Sequence, residues 1–152
     1  MTVDTEATAR RLIEANMYMT IATADADGRP WISPVWFASA SDTEFLWVSS
    51  PEARHSRNIA ARPEVAIVIF DSTVPVGSAE ALYVEAVAEQ LADGDVDEAI
   101  EIYSRRSQAC GARPWTAGDV LAPEPFRLYR ATAGARSVLQ SDDQRLPVKA
   151  VS

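Results

Sequence analysis

Residues 47–62 read WVSSPEARHSRNIAAR, and the folding of this stretch decides the rest. Just before and into it, Phe45, Leu46, Trp47 and Val48 are aromatic, β-branched or apolar, the composition of a buried strand. Ser49 and Ser50 break the run. Ser50 is a good N-cap, and Pro51 suits the first helical position, where its missing N–H costs nothing. Glu52 falls in the first turn, the favoured end for a carboxylate. The stretch predicts a strand, a turn and a short helix that Pro63 stops. Arg54, Arg57 and Asn58 are spaced three and four apart and share a helix face, with His55 beside them. Helix amides, serine hydroxyls and guanidiniums then converge on one spot, which suits an anion and best a phosphate. The same residues would equally make a capped surface helix with solvated arginines, because every capped helix carries that dipole.

Upstream, Thr5–Asn16 predicts a helix with Ala9, Leu12 and Ile13 on one face. Tyr18–Thr23 is a strand, Asp25–Gly28 a turn and Trp31–Ala38 the returning strand of a hairpin. Pro34 inside that strand implies an edge or a break in the ladder. Ser39–Glu44 reads as a polar turn. Downstream, Val65–Phe70 is a continuous apolar run that suits a central strand covered on both faces. Asp71–Ala79 is a long loop. Leu82–Leu91 alternates with period two and predicts a strand, despite its helix-favouring alanine and glutamate. Asp95–Cys110 is a helix with Gly111 as its stop, Thr116–Leu121 a helical turn or two, and Phe126–Leu139 a strand bent at Gly134. Residues 141–152 read as a polar tail without pattern, and 1–140 as one domain. Successive strands lack the long crossovers that a parallel sheet needs. The expected fold is mainly β, an antiparallel barrel with helices outside it.

A net charge of −8 argues against nucleic acid or an anionic membrane as partner. Cys110 and His55 are the only residues of their kinds, which leaves no disulfide, zinc–cysteine cluster or histidine-pair metal motif. A cytoplasmic protein with no bound metal is expected. Asp93, Asp95, Asp97 and Glu98 lack the spacing of a calcium loop and read as helix caps. Arg105 and Arg106 read as a solvated face, and Cys110 as a small buried residue.

Three stretches carry a resemblance. Residues 20–37, TIATADADGRPWISPVWF, are similar to the second-hairpin signature of the pyridoxamine 5′-phosphate oxidase-like proteins, the flavin-mononucleotide (FMN)-binding split barrels. Residues 49–66, SSPEARHSRNIAARPEVA, resemble that family's phosphate-binding helix and the strand after it, and residues 126–132, FRLYRAT, its closing strand. The resemblance covers roughly residues 8–140 in the family's order. It implies a six-stranded antiparallel split β-barrel, a homodimer with flavin at the subunit interface, and an FMN-dependent oxidoreductase acting on a small molecule.

Carried over by position, the resemblance assigns Ser49 and Ser50 to the phosphate or ribityl chain, Arg54 to the phosphate, and Asn58 to the family's asparagine-leucine pair, with Ile59 for leucine. It assigns Ser33, Val35 and Trp36 to the strand whose backbone lies along the flavin ring, and Trp115 to a connector that reaches the partner's flavin. His55 stands where the family usually has lysine, which shifts phosphate binding towards Arg54 and Arg57. Ser33 stands where the vitamin-converting oxidases carry an arginine. No residue is assigned to catalysis. Two alternatives share the fold: a deazaflavin-dependent reductase, and a non-catalytic module binding flavin or haem, with His55 as haem ligand. Trp31, Trp36 and Trp47 read mainly as core or interface residues, one of them at most touching a cofactor.

Overall fold

The computed structural model describes residues 3–140 and 142–149. The chain runs α1 (Thr5–Ala15), β1 (Tyr18–Ala24), β2 (Pro30–Trp36), β3 (Ala38–Ser41), β4 (Glu44–Ser49) and α2 (Arg54–Ala61). It continues through β5 (Glu64–Phe70), β6 (Ala81–Gln90), α3 (Val96–Ala109), β7 (Arg127–Leu139) and β8 (Arg145–Pro147). All strand pairings are antiparallel. The main path of the sheet is β2-β1-β5-β6-β7-β4-β3, with β8 added to β7. Its two ends, β2 and β3, are consecutive in the chain and separated only by Phe37. One bent strand thus pairs with β1 through its first half and with β4 through its second. That bend curls the sheet into a split barrel. Counting β2 and β3 as one gives the six principal strands expected; the three-residue β8 is additional.

This corrects the reading of Ser39–Glu44 as a turn: residues 38–41 are strand, and the reversal falls at Asp42–Thr43. The polarity of ASAS hid the strand, whose buried contribution is Ala38. Pro34 pairs with Thr20 in unbroken register and is tolerated because β2 has one strand partner among the described residues, which leaves its other edge free of them.

The barrel interior holds Met19, Ile21, Phe37, Phe45, Trp47, Ile67 and Ile69, and α1 adds Ala9, Leu12 and Ile13. Asp4 caps α1 by accepting from the Ala7 N–H at 3.0 Å. A second cluster seals α3 to β3 and β4 through Ala38, Leu46, Val96, Ile100 and Tyr103. The ambiguous segment 82–91 lies mostly in β6, with Leu82, Val84, Ala86 and Ala88 buried as the alternation predicts. Facing the Val84–Ala86 register shift, Gly134 lies where a Cβ would stand 3.5 Å from the Glu85 carbonyl oxygen, an ordinary contact, and the expected bend is a bulge.

Other expectations need correction. β5 alternates instead of being covered twice: Val65, Ile67 and Ile69 are buried, whereas Ala66 and Phe70 are exposed. No helix of this chain lies over that outer face among the described residues, so the apolar run served composition more than burial. The segment read as a patternless tail supplies β8 and buries Val148, held by Val148 N–H donating to the Arg136 carbonyl at 2.9 Å; residues 141 and 150–152 lie outside the described residues. Arg106 is not simply solvated; it donates to the Glu14 carbonyl at 3.1 Å and ties α3 to α1. Asp95 occupies the α3 N-cap position without a side-chain cap bond, and Cys110 is half-buried.

Candidate functional site

The anion site proposed from residues 49–58 begins where β4 ends. Ser49 pairs with Arg127 at the last rung of the β4–β7 ladder. Ser50 does not cap the helix. It opens a turn, with Ala53 N–H donating to the Ser50 carbonyl at 3.1 Å and Glu52 N–H to Ser50 Oγ at 3.1 Å. α2 starts at Arg54 behind Ala53, with no side-chain cap. Pro51 and the short Ser50 side chain suited a tight turn as well as a helix start, and the turn won. The first amides of α2 are therefore unclaimed by any cap.

Two hydrogen-bonded links set the orientation of α2. Asn58, 5% exposed, donates from Nδ2 to Thr23 Oγ1 at 3.0 Å. Arg62 donates to the Ala26 carbonyl at 3.1 Å in the β1–β2 turn. The helix thus lies against the end of the first hairpin. Trp31 stands opposite Thr23 in the hairpin register. One turn before Asn58, the Arg54 guanidinium carbon lies 4.1 Å from the centroid of the Trp31 ring. On the neighbouring side, His55 Nε2 and Ser49 Oγ are 2.9 Å apart and hydrogen-bonded. Arg57 is exposed.

At the start of α2 the structure thus places Arg54 on Trp31 and, on the neighbouring side, His55 on Ser49, with Arg57 exposed on the helix and Asn58 beneath as a strut. That arrangement can take an anion from the open side: it offers two guanidiniums, a hydroxyl and helix amides. Sequence reasoning missed Trp31 and Thr23 as the partners of Arg54 and Asn58. The hairpin register places those two opposite each other, but the docking of α2 on them is tertiary. We expect Asn58→Ala, which leaves Thr23 without its buried partner, to cost about 1–3 kcal/mol of stability, measurable by urea unfolding.

Burial holds the His55 imidazole below its ordinary value of 6.5. The unfolded chain accepts a proton there that the folded chain resists. Stability linked to His55 is complete above the ordinary value and declines as pH falls below it. His55→Gln is expected to reduce the loss of melting temperature between about pH 7 and pH 5 relative to the parent; identical profiles would count against this linkage.

The remaining assigned residues lie elsewhere. Val35 is 7% exposed and packs in the barrel interior, so only its backbone is available at the surface. Ser33 is half-buried opposite Ile21 on the same edge strand. Trp36 and Trp115 meet at one residue, Tyr103 of α3, in edge-to-face contacts with centroids 5.0 and 5.6 Å away. Burial pushes the Tyr103 hydroxyl up to about 12. Arg113 lies over the Trp115 ring at 4.0 Å and pairs with Asp119 at 3.1 Å. Trp115 is thus packed within its own subunit.

The fold is that of the antiparallel split barrels. A family model described as pyridoxamine 5′-phosphate oxidase matches residues 5–138, and the chain belongs to that family. A pyridoxine/pyridoxamine 5′-phosphate oxidase of Burkholderia multivorans is 37% identical over 65 residues, 43% of this chain and 30% of that protein. The chain's match spans under a third of the length of such curated relatives. Among solved structures, the haem-storage protein HutZ of Vibrio cholerae has a TM-score of 0.67 at 21% identity, covering 87% of this chain and 92% of that one. An F420 reductase has a TM-score of 0.61 at 20% identity, covering 90% and 98%. At these identities the structural likeness establishes the fold. Among the described residues, no helix is long and apolar enough to cross a membrane.

Proposed function

We propose that this chain is a cytoplasmic FMN-dependent oxidoreductase of a small-molecule substrate, working as a homodimer with the cofactor between subunits. The observation that carries this reading is Arg54, whose guanidinium lies over the Trp31 ring, with the Ser49–His55 pair on the neighbouring side of the uncapped start of α2. When bound, the flavin supplies the electron and hydride chemistry. Arg54 and Arg57 hold its phosphate, and the first amides of α2 complete the grip. The free edge of β2 at Ser33, Val35 and Trp36 offers backbone donors and acceptors to the ring. Ser49 Oγ and His55 Nε2 are hydrogen-bonded at 2.9 Å, the imidazole tautomer setting which of them donates, and this contact holds the hydroxyl in place.

The homodimer is supported by the uncovered outer sheet face, where Ile32 is 61%, Phe70 46% and Val87 55% exposed. A second subunit there would exclude water from the flavin. We expect sedimentation at micromolar concentration to give a dimer, and a monomer alone would count against the interfacial site.

A deazaflavin cofactor is the second reading, favoured by the likeness to the F420 reductase. Its longer acidic tail needs cations beyond Arg54 and Arg57. A haem-binding module is less well supported, because His55 Nε2 is already engaged by Ser49. The deciding experiment is mass spectrometry of the small molecule released on denaturation. FMN supports the first reading, a deazaflavin replaces it with the second, and haem without flavin overturns both.

A further inference from the structure

Arg54 differs from most arginines of the chain in how it is held. Arg10, Arg11, Arg113 and Arg130 pair with carboxylates. Arg62 and Arg106 donate to backbone carbonyls. Arg54 makes neither kind of contact among the described residues; what holds it is the face of Trp31, at 4.1 Å. A planar cation over a ring face is attracted by the ring's quadrupole, while its N–H bonds radiate in its own plane. A carboxylate partner would consume those donors. The indole leaves them free.

Trp31 is itself an unusual place for a tryptophan. It is 41% exposed at the mouth of the first hairpin and contributes nothing to either buried cluster. Its position is nevertheless determined. It faces Thr23 across the hairpin, and Thr23 receives the buried amide of Asn58, one helical turn from Arg54. Hairpin register and helix docking therefore meet at the Trp31–Arg54 stack.

We propose that Trp31 is the positioning residue of the anion site, presenting the Arg54 fork edge-on to a phosphate monoester and thereby setting the preference for phosphorylated over unphosphorylated ligands. This rests on the flavin-phosphate reading of the same site. It is specific about the ligand class: a terminal phosphoryl group with two oxygens open to the fork.

The test compares the affinities of FMN and riboflavin, which differ by the phosphoryl group, by flavin-fluorescence titration of the full chain. The parent is expected to prefer FMN. Trp31→Leu should weaken FMN binding about 3–10-fold and leave riboflavin unchanged, and Trp31→Phe, which keeps a ring face, should recover most of the loss. In an Arg54→Ala background, Trp31→Leu should add nothing, because its effect acts through Arg54. Should Trp31→Leu not fold, Trp31→Thr, suited to an exposed strand position, takes its place. Equal losses of FMN and riboflavin would overturn the proposal in favour of direct ring contact. Unchanged FMN affinity in Trp31→Leu, with loss in Arg54→Ala, would overturn it and leave the anion site standing. A parent with no preference for FMN over riboflavin would overturn the site reading itself.

Discussion

Arg54→Ala is expected to lower FMN affinity by about 1.5–3 kcal/mol, the range for a hydrogen bond to a charged group, which is roughly 10–150-fold in Kd. Three features make this loss the largest of any single side chain at the site. Among the described residues the guanidinium pairs with no carboxylate, and its recorded contact is the Trp31 face, which leaves its donors available to a ligand. It is preorganised by the Trp31 face, so little rotamer entropy remains to be lost on binding. Its neighbours compensate poorly: His55 is held towards its neutral form by burial, and Arg57 is exposed, with no ion pair to orient it among the described residues. Folding should be nearly unaffected, because Arg54 lies at the exposed start of α2. A titration showing parental FMN affinity in this variant, with an unchanged melting curve, would remove residues 49–58 as the phosphate site.

The largest stability effect is expected at Trp47. Its side chain is 0% exposed at the centre of β4 and stacks on Tyr129, with centroids 5.7 Å apart and planes 16° from parallel. Trp47→Ala should cost about 3–5 kcal/mol, the loss for a buried aromatic that leaves a cavity. Against a total of about 5–15 kcal/mol for a domain, that brings the chain close to unfolding. Trp47→Phe should behave differently. The indole N–H of Trp47 is buried without a hydrogen-bond partner among the described residues. Phenylalanine keeps a ring against Tyr129 and removes that orphan donor, whose burial costs about 1–3 kcal/mol. The smaller ring forfeits some packing in return, and the net change should stay below about 1.5 kcal/mol. Urea unfolding with unchanged slopes would report both values. A Trp47→Phe chain as unstable as Trp47→Ala would show that the indole's volume, and not ring burial as such, holds the centre of the barrel.

Much of the barrel was legible locally. The α1 face of Ala9, Leu12 and Ile13, the hairpin with its turn at Gly28, where φ is positive, the alternation of β6 and the bend at Gly134 are each marked locally, by spacing or by a glycine. The misreadings have physical causes. Ser39 and Ser41 are polar yet belong to a strand, because β3 pairs with β4 and buries only Ala38, in the cluster with α3. Ser50 and Pro51 suited a helix cap and a turn about equally, and the connection from β4 to α2 chose the turn. Val65–Phe70 reads as covered on both faces because apolar composition cannot say which face another element occupies. Arg145–Pro147 has no strand signature and acquires one by adding to the edge of β7.

At the candidate site the division is sharper. Spacing alone put Arg54 and Asn58 on one helix face, since side chains four residues apart lie one above the other. The chemistry of serine, histidine and arginine beside a helix start pointed to an anion for the same local reason. Tertiary structure separated the two, sending Asn58 inward to Thr23 and leaving Arg54 outward on Trp31. It also gathered Trp36 and Trp115 around Tyr103, a contact between distant segments that spacing along the chain does not show. Periodicity and capping are properties of neighbouring residues and survive in any fold. Which partner a side chain meets depends on strand register and helix docking between segments far apart in the chain, and those exist only once the barrel has closed.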